Sequence, residues 1–308
     1  MKTGNRFSRR EFLTRTSAAV SALAVLNAAI AFAEAPANKR YRIVGFSKPF
    51  QTLNFEETAE LVEQVGWDGI ECAVRQKGHV LPERVEEDLP KMVDALRKRN
   101  RELSIMATDI YNTTDPLTEK VLRAASKLGI KTYRLAHLSY KPAEPILPQL
   151  ANRRAELRDL AALNKELGMC GVYQNHSGNN SFGAPVWDLY EVLKDFDPKH
   201  VGVCFDIGHA TVEGGYAWRT HFRLVENLSK AVIVKDFAWK KKGDTWTDEW
   251  CPLGEGMINK SFFQMLKKTA FNGPIVQHHE YPLGTGAEMV KALKKDLDTL
   301  KEWLAATA

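Results

Sequence analysis

A closed barrel of eight parallel strands wrapped by helices, the (β/α)8 or TIM barrel, is the fold class that three observations predict for this 308-residue chain. From Tyr41 onward, short β-branched apolar runs alternate with amphipathic helical patterns. There are eight such runs, the count at which alternating units close on themselves. No glycine-rich phosphate turn follows the first run, where an open doubly wound sheet would normally carry one.

The elements follow in order. Strand 1 is read at residues 43–46, and a helix follows over 55–65. Strand 2 spans 69–74, with a helix over 89–97. Strand 3 is 103–108; Asp115-Pro116 then signals the start of a helix read at 119–128, and Gly129 its stop. Strand 4 is 132–136, with a helix over 150–167 ended by Gly168. Strand 5, 170–176, precedes a helix at 186–193 announced by Gly183-Ala184-Pro185. Strands 6, 7 and 8 are read at 202–206, 231–236 and 274–280, with helices at 262–268 and 287–304.

The barrel domain is expected over residues 34–308. Before it, Ser8-Arg9-Arg10-Glu11-Phe12-Leu13 carries a twin arginine, and residues 18–33 form an alanine-rich apolar run too short for a membrane span. Residues 1–33 therefore read as a signal peptide for the twin-arginine export machinery, cleaved after Ala31-Phe32-Ala33, and the expected destination is the periplasm. Of the formal charge of +5, residues 1–33 carry +4, leaving the rest near +1. A near-neutral domain lacks the basic surface that nucleic acid requires, so nucleic acid is excluded as a partner. Lys240-Lys241-Lys242 reads as a solvated loop. The four cysteines show no Cys-x-x-Cys spacing, and Cys72 and Cys204 sit in strand-like runs as small core residues.

Chemistry concentrates where strands end. Gln174-Asn175-His176 closes strand 5, Asp206 closes strand 6 with His209 three residues on, and Lys235-Asp236 closes strand 7. Strand 8 ends in His278-His279-Glu280, and alternation puts His278 and Glu280 on one face, as it does Glu71 and Arg75 at strand 2. Such side chains are costly in a packed core but suit the rim of a cavity for a polyhydroxylated ligand or a cation. Their recurrence at consecutive strand ends is what a packing explanation does not predict.

This set, most specifically Cys204-Phe-Asp-Ile-Gly-His209 and the strand ends beside it, resembles the xylose-isomerase-like TIM-barrel superfamily of sugar isomerases and epimerases, over nearly the whole expected domain. The resemblance implies a divalent metal held by a Glu, an Asp, a His or Gln and a Glu from strands 5 to 8. Asp206 matches. Gln174 stands at the first Glu position, Ile233 at the position on strand 7, and His278 at the last, with Glu280 two residues on. Gln174, Asp206 and His278 are thus the expected ligands of Mn²⁺, Zn²⁺ or Mg²⁺, with fewer anionic donors than the family pattern.

The family's two-carboxylate exchange loses a partner when Gln174 replaces a carboxylate. A one-sided proton transfer remains, with Glu280 or His176 as base and Lys235 stabilising an enediolate. Glu71, Arg75, His209, Asp236 and Trp239 are the expected substrate contacts, and the tryptophans between Trp239 and Trp250 suit the apolar faces of sugars. The sequence thus points to an exported sugar isomerase or epimerase acting on a small free or oxidised carbohydrate. A lyase or hydratase on 3-keto sugars or glycosides, or a noncatalytic sugar-binding barrel, are the alternatives.

Overall fold

The computed structural model describes residues 40–306. The expected signal peptide, residues 1–33, lies outside the described residues. Eight strands close a parallel barrel: β1 (Ile43–Phe46), β2 (Gly69–Ala73), β3 (Glu102–Ala107), β4 (Thr132–Arg134), β5 (Cys170–Gln174), β6 (Val201–Asp206), β7 (Ser229–Val234) and, after a hairpin, β10 (Ile275–Gln277). Ile43 pairs with Ile275, so the last strand seals against the first.

Each expected helix is present. Helix α1 (Phe55–Val65) begins in a capping box: Asn54 Oδ1 accepts from Glu57 N at 2.9 Å, and Glu57 Oε2 accepts from Asn54 N at 2.8 Å. Helix α2 (Val85–Lys98) starts four residues before the expected position, with Pro90 inside it. In α3 (Pro116–Lys127), Asp115 Oδ1 accepts from Leu117 N at 2.8 Å. The long α4 (Ile146–Leu167) ends at Gly168, whose φ of +63° suits a residue without Cβ. Helix α5 (Trp187–Leu193) follows Pro185. Two helices between β6 and β7, α6 (Ile207–Gly214) and α7 (Trp218–Val225), were not read from the sequence, and α8 (Ser261–Lys267) and α9 (Ala287–Ala305) complete the ring. Among the described residues no helix is long and apolar enough to cross a membrane.

A second departure is an antiparallel ribbon, β8 (Asp236–Lys242) with β9 (Thr245–Cys251), inserted after β7. Lys240, Lys241 and Lys242 are exposed there on a strand, not in a loop. The strand-edge pattern was masked because one side of this ribbon is polar and solvated, so no apolar run marks it.

Inside the barrel a small cluster includes Val44, Phe46, Ala73, Val172, Cys204, Ile233 and Val276, while a larger one fills the space between strands and helices. Cys72 and Cys204 are buried and all four cysteines are free. Side chains two apart share a face of a strand. The inward faces therefore climb from Val172 to Gln174 and from Cys204 to Asp206. That alternation turns an apolar floor into a polar rim.

Candidate active site

The rim side chains form one connected network across the barrel. Arg134, the last residue of β4, donates from Nε to Glu71 Oε1 at 2.7 Å and from Nη1 to Gln174 Oε1 at 2.5 Å. Gln174 passes the chain on, donating from Nε2 to Asp206 Oδ2 at 2.7 Å. His278 closes the other end, with Nε2 2.7 Å from Glu71 Oε2 and its ring stacked 4.4 Å from Phe46. Glu71 is fully buried. Burial alone would raise its carboxyl, but Arg134 and His278 outweigh that and hold it at about 2.

Asp206 does several jobs at once. Its Oδ1 accepts from His209 N at 3.0 Å and so caps α6. Asn175 clamps its backbone on both sides, donating from Nδ2 to Asp206 O at 3.0 Å and accepting from Asp206 N at 2.8 Å. This explains the polar end of β5: Gln174 and Asn175 are satisfied by neighbouring side chains and backbone, and His176 is held through one ring nitrogen. His176 Nδ1 lies 3.0 Å from Gln174 O. A carbonyl only accepts, so Nδ1 carries the proton and Nε2 is left with a lone pair. Burial, then the neighbouring His209 and Arg134, pushes this imidazole down to about 2, so it is neutral at any working pH.

Lys235 is the hub of the other half. Its Nζ lies 2.7 Å from Glu280 Oε1, 2.8 Å from His209 Nε2 and 3.6 Å from Asp206 Oδ2, and 4.2 Å above the Trp250 ring. Because an ammonium donates, His209 Nε2 accepts, and its Nδ1 proton goes to Ser177 Oγ, 2.8 Å away. Burial and Lys235 together drive the His209 pKa well below the ordinary histidine value. Gly208 makes this packing feasible: a Cβ there would lie 2.9 Å from Lys235 Cγ and 3.1 Å from Asp206 Oδ1. The Lys235 side chain is 3 % exposed, whereas that of Glu280 is 34 % exposed. Burial would raise the Glu280 carboxyl, but the ammonium outweighs it and brings it below the usual range.

Two expected roles and two strand bounds need correction. Asp236 was read as a substrate contact, but its carboxylate accepts from Gly254 N, Gly256 N and Ile258 N at 2.9, 3.1 and 3.0 Å. It ties the segment after β9 back to the barrel, and a Cβ on Gly256 would meet Asp236 Oδ1 at 2.3 Å. Glu71 was also read as a substrate contact, yet both of its oxygens are committed within the wall. Finally, β5 stops at Gln174 and β10 at Gln277, so His176, His278 and Glu280 are set by loop geometry, not by continued alternation.

The expected metal ligands do not make a metal site. Gln174 turns its amide nitrogen, not its oxygen, to Asp206, while His278 is engaged by Glu71. Lys235 Nζ fills the space among Asp206, His209 and Glu280, where a divalent ion would otherwise find its donors, and like charge would oppose one beside it. Among the described residues no group of three or more His, Cys, Asp or Glu could hold a metal.

Of the remaining expected contacts, Arg75 lies at the mouth with its guanidinium 5.8 Å from the Phe46 ring centre, and Trp239 shares the ribbon face of Trp250, edge-on to Phe237 at 5.7 Å. Sequence reasoning missed Arg134, an arginine inside an otherwise apolar strand, and Ser177. It also missed His137, whose ring lies 4.4 Å from that of His176. A separate groove of 730 Å³ between α1 and α9 contains none of these residues.

A closed eight-stranded barrel with polar side chains at the C-terminal ends of its strands defines the class. Residues 59–303 match the family model described as xylose isomerase-like TIM barrel, and the chain belongs to that family. An uncharacterized protein of Methanocaldococcus jannaschii, MJ1311, is 25% identical over 158 residues, 51% of this chain; the chain spans about half the length of this curated relative, 52%. The 3-keto-D-glucoside 4-epimerase YcjR of E. coli superposes with a TM-score of 0.64 at 15% identity, covering 85% of this chain and 100% of that one. A xylose isomerase-like TIM barrel protein from Mycobacterium smegmatis, in complex with magnesium, gives 0.63 at 14% identity, covering 86% and 98%. At these identities the structures show a shared fold.

Proposed function

We propose that this protein is a sugar isomerase that moves a proton at a carbon beside a carbonyl on a free or oxidised sugar. The observation that carries the reading is the Lys235–Glu280 pair: among the carboxylates of the network, Glu280 alone combines exposure at the mouth with a direct bond to a buried ammonium. Its second oxygen, Oε2, is the base. Lys235 Nζ, held against His209 and Asp206, supplies the positive charge on which the substrate oxygen becomes an enediolate. His176 Nε2 accepts a hydrogen bond from a substrate hydroxyl. The hydroxyl proton passes from one enediolate oxygen to the other, and Glu280 returns its own proton to the adjacent carbon on the same face, which interconverts an aldose and a ketose.

Inversion at one carbon needs a second base across the ring. Gln174 cannot ionise and Glu71 is locked to Arg134, so the geometry favours isomerisation over epimerisation. The sugar fits the tryptophan-bearing ribbon above Lys235, and the likeness to YcjR, which acts on a keto-glucoside, supports carbonyl chemistry on a carbohydrate. The residues do not fit a divalent ion, and the positive charge at the site is that of Lys235. If the same enediolate carries a hydroxyl at the next carbon, its departure as water, taking the proton held by Glu280, gives an elimination, the second outcome to measure.

The test is deuterium exchange. Aldoses, ketoses and keto-sugars are incubated in D₂O and followed by NMR, with mass spectrometry reporting any loss of water. Wild type should wash deuterium into the carbon beside the carbonyl, and Glu280→Gln should bind the same sugar without exchange. A wild type that binds sugars and exchanges none of them is a binding barrel. Residues 1–33 complete the proposal as a twin-arginine signal: lysines at Arg9 and Arg10 should hold the protein in the cytoplasm when cells are fractionated. A periplasmic site also favours unphosphorylated substrates.

A further inference from the structure

Arg75 differs from the other cations of the network in having nothing to bind. Arg134 is spent on Glu71 and Gln174, and Lys235 on Glu280, His209 and Asp206. The Arg75 guanidinium makes no hydrogen bond or ion pair with the described residues. It follows β2 at the mouth, half-buried, 5.8 Å from the centre of the Phe46 ring, and Arg134 lies 5.0 Å from the same ring. Burial and the neighbouring Arg134 both work against its charge, while Asp109 and Glu71 favour it only from a distance. Asp109 instead accepts from Gln76 N at 3.2 Å. A guanidinium kept half out of water, beside another cation and unpaired, is the arrangement of a receptor awaiting an anion.

Position supports this. Only β1 separates β2 from β10 in the closed barrel, so Arg75 and Glu280 leave strands about 10 Å apart, two strand spacings. The Phe46 ring lies between them, touching His278 on one side and both arginines around it. A single small molecule can therefore meet Glu280 at its carbonyl end and Arg75 at its other end.

We propose that Arg75 receives a substrate carboxylate, so that the substrate is a sugar acid of the uronate or keto-acid kind rather than a neutral sugar. This rests on the proton-transfer reading of the same site and names its substrate class. One planar fork matches one carboxylate; with the neighbouring cations already paired, a phosphate dianion would find no second one.

The test uses binding, which needs no turnover. Calorimetric titration of the full chain compares D-glucuronate, D-galacturonate and D-gluconate with glucose, galactose and glucose 6-phosphate, in wild type, Arg75→Gln and Arg75→Lys. At least one acid should bind wild type about 10-fold or more tightly than its neutral counterpart, as expected for charge-assisted hydrogen bonds. Arg75→Gln should erase that preference, read as the ratio of acid to neutral-sugar affinity within each protein, and Arg75→Lys should keep part of it. Equal affinity for acids and neutral sugars, a preference for the phosphate, or a preference untouched in Arg75→Gln would each overturn the assignment. Failure of the proton-transfer reading shows separately, as absence of deuterium exchange with the acid bound.

Discussion

Lys235 Nζ sits 2.7 Å from Glu280 Oε1, joining a side chain sealed in the barrel to one open to solvent. In the proposed reaction the pair would align a cation and a base on one substrate edge. Replacing the lysine by methionine keeps much of its apolar stem and removes the charge that would stabilise an enediolate. Lys235→Met should lower the deuterium-exchange rate by about 10²–10³-fold, the cost typical of losing one electrostatic donor. Glu280→Gln should lower it by about 10²–10⁴-fold, as for loss of a general base. Circular dichroism should show both variants folded; a Lys235→Met enzyme that exchanges at the wild-type rate would remove Lys235 from the chemistry.

The same ammonium predicts indifference to chelators. A site that depends on a bound ion loses activity, and often stability, when the ion is stripped. Here the donors that would hold one are already joined to Lys235, Arg134 and Glu71. Exhaustive dialysis against EDTA should leave exchange rate and Tm unchanged, and elemental analysis of protein purified without chelator should find no stoichiometric divalent metal. Activity that disappears in EDTA and returns with Mn²⁺ would show that the network rearranges around an ion.

Much of this was legible in the sequence, for identifiable reasons. The barrel strands announced themselves because parallel strands buried on both faces are unbroken apolar runs, and Asp206 and His209 marked the rim because a carboxylate and an imidazole closing an apolar strand are costly in a packed core. What could not be read was pairing. Nothing local in Thr132-Tyr133-Arg134 says that its guanidinium crosses the barrel to Glu71, 63 positions earlier. Nor does Gln174 reveal which end of its amide faces Asp206, although that choice decides between a metal ligand and a hydrogen-bond donor. Asp236 was misjudged because a carboxylate at a strand end looks alike whether it meets substrate or three backbone amides.

The Glu71–Arg134 pair should dominate stability rather than catalysis. Removing one partner of a buried ion pair leaves the other charge desolvated, at a cost of about 3–5 kcal/mol. Glu71→Gln should therefore lower the urea midpoint by an amount corresponding to that loss, with an unchanged m-value. The sign with pH follows from the depressed carboxyl: its contribution is present above the ordinary glutamate pKa and disappears as pH falls through about 2. Wild type and variant should thus converge in stability only in strong acid. A variant as stable as wild type at neutral pH would mean that Arg134 finds another anion.

His279 and Asp296 predict opposite limbs of a stability–pH curve. Burial pushes His279 down to about 3, so it stays neutral in the fold while the unfolded chain takes up a proton below about 6.5. This costs stability as pH falls below that value. Asp296 accepts from Tyr281 Oη at 2.8 Å and from Leu253 N at 3.1 Å, yet burial still raises it to about 6. A raised carboxyl contributes most below the unfolded value near 4 and loses that contribution as pH rises through about 6, leaving a buried charge. Asp296→Asn should therefore be more stable than wild type at pH 8, by up to about 3 kcal/mol from two pKa units, with the advantage vanishing near pH 4. Its acid limb should also be steeper, because the rising contribution of Asp296 no longer offsets the protonation of His279 in the unfolded chain. Tm measured from pH 4 to 8 for both proteins checks the crossover, and parallel curves would show that Asp296 keeps an ordinary pKa in the fold.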